Sequence, residues 1–132
     1  MLAQRLDPSP EGRRIVICDY NALLQSVTGL LRMSGYCVFQ AYDAMAAREL
    51  CGQLPGIEML ILNTTGTGID SPTLVQDIRK HHPALPVLHI GNWELDGMPD
   101  DVPTLAESFT ATQLLTTVAE LMPAREIAAP ID

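Results

Sequence analysis

Basic residues are few in this sequence: eight Lys and Arg stand against sixteen Asp and Glu, giving a formal net charge of −8. Nucleic-acid phosphates and anionic membrane surfaces attract clustered cations, so the composition disfavours both as partners. No apolar run approaches the ~20 residues that a membrane-spanning helix needs. The polar segment 1–14 does not resemble a secretory signal. We therefore expect a cytoplasmic protein with no nucleic-acid partner and no membrane partner.

Cysteine is also scarce, and the spacing of the three cysteines does not match a metal site. An odd number of cysteines in a chain of cytosolic character indicates free thiols, which usually serve as small core residues. The chain has 132 residues, of which 47% are hydrophobic. That length and composition are typical of one globular domain.

Short apolar runs rich in β-branched residues alternate with segments of helical spacing. Five runs predict strands, at 15–18, 36–41, 57–62, 85–90 and 103–106. Runs without polar alternation are typical of strands that are buried on both faces, as in parallel sheets. The alternation of strands and helices therefore predicts the α/β class, with a doubly wound five-stranded parallel sheet.

Apolar residues spaced three, four and seven apart predict four helices, within 23–31, 45–54, 72–78 and 114–122. Asp43 and Ser71 are predicted to cap the second and third helices. Thr110 has capping-box spacing with the Gln three residues later, and Gly35 is predicted to close the first helix.

The segment 92–103 contains Gly97, Pro99 and four acidic residues, so we do not expect a full helix there. The domain is predicted to span residues 14–122. Residues 1–13 are expected to be a flexible lead, and residues 123–132 a loose tail.

In a doubly wound sheet, the functional crevice lies at the carboxyl ends of the strands, where the strand order reverses. Polar or small residues follow the predicted strands at those ends. They are Cys18, Asp19, Asn63, Gly91 and Glu107.

At these strand ends the sequence resembles the receiver domain of two-component response regulators, from about Arg14 to Met122. The stretch 15–19 is similar to the first strand and acidic pair of that family, and the stretch 58–63 to the strand that delivers its phosphoacceptor aspartate. Glu107-Ser108-Phe109 stands where the family has Lys-Pro-Phe. The resemblance implies a flavodoxin-like receiver fold, here with the fourth helix shortened or missing.

The resemblance also implies a phosphorylation pocket, which this sequence alters. Cys18 replaces the first acid of the pair, Asn63 the acceptor, Gly91 the hydroxyl residue and Glu107 the lysine, so that only Asp19 remains. An amide is a poor nucleophile and brings no charge to a hard dication. We therefore predict a degenerate pocket with no catalytic residue, no enzymatic activity, no cofactor and no bound Mg²⁺.

A rebuilt output surface accompanies the altered pocket. Trp93 lies in the shortened segment, Thr104 stands at the family's switch aromatic position, and Phe109 follows the lysine position. These three residues are the predicted interaction surface. The resulting hypothesis is a pseudo-receiver that signals through phosphorylation-independent contact with a histidine kinase, another response regulator or a second copy of itself.

Two alternatives remain open at this stage. The chain could be a working but atypical phosphorelay receiver, phosphorylated on another acid such as Asp70. It could instead be a small-ligand or metal-binding α/β domain that uses the loop 64–68 together with Asp19 and Glu107.

Overall fold

A computed structural model of the chain describes residues 4–7, 9–18, 23–63, 70–92, 95–122 and 125–128. The strands are β1 (Gln4–Asp7), β2 (Arg14–Cys18), β3 (Cys37–Ala41), β4 (Ile57–Asn63), β5 (Val87–Ile90), β6 (Thr104–Leu105) and β7 (Arg125–Ala128). The helices are α1 (Leu23–Met33), α2 (Ala44–Gln53), α3 (Ser71–Arg79) and α4 (Ala111–Leu121).

Five strands form one parallel sheet in the order β3-β2-β4-β5-β6. The chain moves from β2 to β3 in one direction and then crosses back to β4, β5 and β6 in the other. The strand order therefore reverses between β2 and β4, as in a doubly wound fold. The predicted five-stranded parallel α/β architecture is confirmed.

The sheet separates two apolar clusters, which explains why its strands are uniformly hydrophobic. Ile15 and Ile17 belong to the cluster that includes side chains of α1 and α4. Val16 and Cys18 belong to the other cluster, together with side chains of α2 and α3. Successive residues of a strand point to opposite faces, so a strand covered on both sides needs apolar residues throughout. Among the helices of the described residues, none combines the length and apolar character that crossing a membrane requires.

Local capping signals define most of the helix ends. The backbone N–H of Ala46 donates to Asp43 Oδ1 at 2.7 Å, so Asp43 caps α2 as predicted. Thr110 and Gln113 form the predicted capping box at the start of α4. Gly35 follows α1 with φ +105°, a conformation that favours glycine because it has no Cβ atom.

The cap of α3 differs from the prediction by one residue. Asp70 and not Ser71 is the cap: Asp70 Oδ1 accepts from the Thr73 backbone N–H at 3.2 Å, and Oδ2 accepts from Thr73 Oγ1 at 2.8 Å. A carboxylate can accept both hydrogen bonds, whereas the single serine hydroxyl oxygen offers less capacity. The bonds from Thr73 hold the pKa of Asp70 below its ordinary value. Ser71 is instead the buried first residue of the helix.

Residues 91, 92 and 95–103 contain no helix, which agrees with the prediction for this segment. A fork of hydrogen bonds ties the segment to α3, because Arg79 donates to both carboxylate oxygens of Asp101, at 2.9 and 2.7 Å. The same guanidinium donates to the carbonyl of Leu85 at 3.2 and 2.8 Å. Val102 packs into the cluster beside α3. A loop that is held to α3 by hydrogen bonds therefore lies between β5 and β6, where a full helix was not expected.

Two segments outside the predicted domain 14–122 form a second sheet, and the flexible lead and loose tail stay predictions. Gln4–Asp7 and Arg125–Ala128 pair as antiparallel strands and form a separate two-stranded sheet. The pairing partners lie at opposite ends of the sequence, so no local pattern within either segment reveals the pairing.

Candidate functional site

The carboxyl edge of the sheet brings three of the predicted positions onto neighbouring strands. Cys18 is the last residue of β2, and Asn63 is the last residue of β4. The register pairs Cys18 with Leu62 and Asn63 with Ile90, and Gly91 follows directly after β5. Because β4 lies between β2 and β5, Asn63 is at the centre of this edge.

Cys18 lies in an apolar environment, at the position where the resemblance implies a metal-binding carboxylate. The residue is 1% exposed and belongs to the cluster beside α2 and α3. Its Sγ lies 3.7 Å from the carbonyl oxygen of Asp43, which is a weak hydrogen bond. Burial raises the pKa of the nearby Cys51 to about 12, with a further contribution from Cys18. This side of the edge therefore disfavours negative charge.

Asn63 is fully buried at the end of the central strand β4. Its amide is neutral, so burial carries a smaller desolvation cost than an aspartate would at the same place. The position to which the resemblance assigns the family's nucleophile thus holds a buried group with no negative charge and little nucleophilicity.

Gly91, directly after β5, leaves space that is taken up by the ring of His89, two positions earlier in the chain. A Cβ atom placed on Gly91 would lie 2.8 Å from Cε1 of His89 and 3.1 Å from Nε2. Distances this short are steric clashes, so the imidazole takes the space that any larger side chain at position 91 would need. A larger side chain at position 91 would therefore require the imidazole of His89 to move.

A hydrogen bond to the adjacent strand holds the His89 ring. Nδ1 of His89 lies 3.1 Å from Oγ1 of Thr104, its register partner on β6. The backbone supports the same contact, because His89 N–H donates to the Pro103 carbonyl and Gly91 N–H to the Leu105 carbonyl, each at 3.0 Å. Thr104, which was predicted to belong to an interaction surface, thus bonds within the domain.

His89 is 2% exposed, and its burial lowers the pKa of the imidazole below the ordinary value of 6.5. Glu107 acts in the opposite direction and raises the pKa, but the effect of burial is larger. The ring is therefore neutral near pH 7. Sequence reasoning missed this residue, although a lone histidine within the apolar run 85–90 is a visible signal.

Glu107 and Phe109 both have contacts within the domain. Glu107 Oε2 accepts from the Nδ2 of Asn92 at 3.0 Å, so a neutral amide is the donor to this carboxylate. Phe109 packs against the cluster beside α1 and α4 and is only partly exposed. Asp19, Trp93 and the loop 64–68 lie outside the described residues, so their predicted roles stay predictions.

Within the described ranges, no group of three His, Cys, Asp or Glu side chains is arranged to hold a metal ion. Among the described residues, a cavity of about 560 Å³ lies between α2 and α3, and two smaller cavities lie beside Glu58. Cys18, Asn63, Gly91 and Glu107 line none of these cavities.

Comparison with solved structures gives the same architecture repeatedly. A receiver protein from Sinorhizobium medicae WSM419 matches with a TM-score of 0.71 and 24% identity, over 84% of this chain and 94% of that one. The Vibrio cholerae chemotaxis protein CheY4 matches with a TM-score of 0.74 and 17% identity, over 84% of this chain and 99% of its own. The chain has the receiver fold. The resemblance to receiver domains of response regulators is therefore confirmed.

Two comparisons connect this receiver fold to a sensor kinase. The receiver domain of the hybrid histidine kinase CckA matches with a TM-score of 0.68 and 29% identity, over 82% of this chain and 97% of that domain. The sensor kinase CckA of Brucella abortus strain 2308 is 25% identical over 123 residues. Those residues cover 88% of this chain and 13% of the kinase, so the chain spans about an eighth of its length. No family model matches the chain.

Proposed function

We propose that this receiver domain signals through protein–protein contact without phosphorylation of residue 63. The observation that carries the proposal is the buried amide of Asn63 at the centre of the carboxyl edge. Aspartyl phosphorylation needs a carboxylate at this position, because the carboxylate oxygen attacks phosphorus and its charge helps to hold the metal ion. An amide contributes neither.

The described residues around Asn63 also fit Mg²⁺ poorly. Mg²⁺ prefers hard oxygen ligands in octahedral geometry, and Cys18 presents a soft sulfur in an apolar cluster. Glu107 is hydrogen-bonded to Asn92, and its negative charge stands where an incoming phosphoryl group would need a cation. The proposal therefore includes the loss of the Mg²⁺ site, the absence of a cofactor and a non-enzymatic role.

The proposed partner is a histidine kinase, with another response regulator as the second choice. The similarity to the sensor kinase CckA supports this choice, because the matched receiver domain comes from a hybrid histidine kinase. Exposed apolar side chains on the described surface suggest where the partner binds. Tyr42 follows β3 directly and Met45 lies in the first turn of α2, and they are 62% and 67% exposed. Both are at the carboxyl edge of the sheet.

A phosphorylation assay tests the first half of the proposal. The protein is incubated with acetyl phosphate and Mg²⁺ beside an active receiver domain, and the intact mass of each is measured. We expect no gain of a phosphoryl group on this chain and full labelling of the control. A stable adduct would contradict the proposal, and peptide mapping would then identify the modified acid.

Asp70 is the acid that the mapping would examine first. Its carboxylate already accepts two hydrogen bonds from Thr73 and caps α3. Phosphorylation there would alter one of these two oxygens, so the hydrogen exchange of α3 would differ between the phosphorylated and unmodified protein.

A binding assay tests the second half. Sensor-kinase core domains from the host are titrated against the chain, before and after treatment with acetyl phosphate. We expect the same Kd in both conditions, and a weaker Kd for Tyr42→Ala and Met45→Ala. Met33→Ala is the matched control, because Met33 is 88% exposed but ends α1 at the opposite edge of the sheet. A Kd that depends on acetyl phosphate would refute the proposal.

A further inference from the structure

The carboxyl edge contains a histidine that the altered phosphorylation pocket does not by itself explain. His89 is buried in β5 between the strand that ends at Asn63 and the short edge strand β6. Its ring contacts Gly91 on one side and Thr104 on the other. These two partners stand at the family's hydroxyl position and switch aromatic position.

The imidazole of His89 lies on the side of Gly91 from which a Cβ atom would project. The distance of 2.8 Å from Cε1 to an added Cβ means that the imidazole overlaps the path along which a side chain at position 91 would project. In a pocket of the family type, that side chain reaches the bound phosphoryl group. The ring therefore fills space that ligand-contacting atoms would otherwise use.

The hydrogen bond to Thr104 explains why the ring stays there. A buried imidazole needs a partner for its polar nitrogen atoms, and Thr104 Oγ1 provides one at 3.1 Å. If the ring swung away from Gly91, this bond would break in an environment with little water to replace it. Gly91 and Thr104 thus act together: one makes room for the ring and the other anchors it.

We propose that His89 is an internal plug that closes the former phosphorylation pocket and locks β5 to β6 in a single arrangement. This inference rests on the proposed function and deepens it, because a ring that occupies the former pocket leaves less space there for a phosphoryl group. Three residues form this plug. His89 supplies the ring, Gly91 leaves room for it, and Thr104 is its hydrogen-bond partner.

A double-mutant cycle in the full chain tests the steric contact between His89 and position 91. In the native background, Gly91→Ala is expected to lower Tm by about 5 °C, since the added methyl group meets the ring. With His89→Ala present, the same Gly91→Ala change is expected to alter Tm by only about 1 °C. Equal effects of Gly91→Ala in the two backgrounds would overturn the plug.

Variants of the anchor give a second readout that does not depend on overpacking. Thr104→Val keeps the shape of the side chain and removes the hydrogen bond, whereas Thr104→Ser keeps the hydroxyl. The His89 ring resonances in NMR are expected to broaden or double in Thr104→Val and to stay single in Thr104→Ser. A single sharp ring environment in both variants would show that Thr104 does not hold the plug.

A third measurement asks whether the ring blocks the pocket. The starting variant combines Asn63→Asp with Cys18→Asp and Glu107→Lys, because the acceptor alone would still lack the acidic pair and the cation. It is incubated with beryllofluoride and Mg²⁺, with and without His89→Ala. We expect saturable ¹⁹F signals from bound beryllofluoride when His89→Ala is present and a signal at least about tenfold weaker when it is absent, which corresponds to about 1.4 kcal/mol. Equal signals, or none in either variant, would refute the blocking role.

The outcomes separate the plug from the proposed function. An additive double-mutant cycle would remove the plug and leave phosphorylation-independent signalling intact. A phosphoryl adduct on the native chain would remove the proposed function, whatever the cycle shows.

Discussion

The interior of the sheet and its carboxyl edge follow different rules in this molecule. Strands β2 and β4 place nearly all their side chains in two apolar clusters. The edge where they end carries a thiol at Cys18, a buried amide at Asn63 and, beside β5, the interlocked His89 and Gly91. The interior can keep the receiver architecture with many sequences, because burial depends on size and hydrophobicity. The edge depends on individual functional groups, so a few substitutions can change its chemistry.

The largest expected effect lies in the interior. Leu60→Ala in β4 removes a fully buried side chain and should lower the free energy of unfolding by ~2–5 kcal/mol, through lost burial and a residual cavity. Chemical denaturation measures the change. Met33→Ala serves as the control, because an 88% exposed side chain should alter stability by no more than ~0.5 kcal/mol. Similar losses in the two variants would break the distinction between interior and surface.

The next largest effect concerns the loop that covers the sheet beside β5 and β6. Arg79→Met should cost ~1–3 kcal/mol, because the Leu85 carbonyl loses two hydrogen bonds and the Asp101 fork is lost. Arg48→Met is the matched control. It breaks an ion pair with Asp77 whose side chains are 42% and 32% exposed, so a cost of at most ~1 kcal/mol is expected. Hydrogen exchange should show faster opening of residues 95–103 in Arg79→Met alone.

A smaller effect is expected at the capping box of α4. Thr110→Ala should destabilise the domain by about 1 kcal/mol, since the N–H of Gln113 loses its side-chain acceptor. Thr116→Ala is the control, because Thr116 is exposed within the same helix and alanine has the higher helix propensity. Thermal unfolding compares the two, and a loss in Thr116→Ala as large as that in Thr110→Ala would contradict the capping role.

The smallest expected effect is a pH dependence of the folding stability, which comes from His89 at the carboxyl edge. The pKa of His89 is lowered in the folded state, so the unfolded chain binds the proton at a higher pH. Stability contributed by neutral His89 should therefore be complete above the unfolded pKa of 6.5. It should fall as the pH drops below that value, by at most about 1.4 kcal/mol per pH unit.

His89→Gln is the matched variant for this measurement, because glutamine keeps a polar group near Thr104 but does not titrate. Urea unfolding at pH 7.5, 6.5 and 5.5 should show a weaker pH dependence in the variant than in the native chain. The other two histidines, His81 and His82, are present in both proteins, so their contributions cancel. Identical slopes would mean that the pKa of His89 is the same in the folded and unfolded states.

Much of the fold could be predicted because its signals are local. The apolar runs at 15–18 and 57–62 correspond to β2 and β4, and the capping box at Thr110 is found where its spacing indicates. Errors arose where two neighbouring residues compete for one role, as Asp70 and Ser71 do at the start of α3. The predicted helix 45–54 begins with the apolar Met45, yet this side chain is 67% exposed, because α2 buries Ala47 and Cys51 instead.

The candidate site was predictable only in part. The alignment of strand ends indicated Cys18, Asn63, Gly91 and Glu107 from the sequence, and the structure places the first three on neighbouring strands. The part played by His89 could not be predicted, because it depends on which neighbours its ring meets. Thr104 is fifteen residues away along the chain, and only the parallel register of β5 and β6 makes it the partner of His89.

The sequence alone determined the kind and order of the secondary-structure elements, because helix and strand periodicity and capping are set by residues within a few positions of each other. It also determined that the residue at the end of β4 is an asparagine, which carries no carboxylate. Only the tertiary structure decided that His89 lies over Gly91, that Arg79 holds the loop at Asp101 and that β1 pairs with β7. Those contacts join residues that are brought together by folding, and their energies depend on distance and burial in space, which sequence separation does not encode.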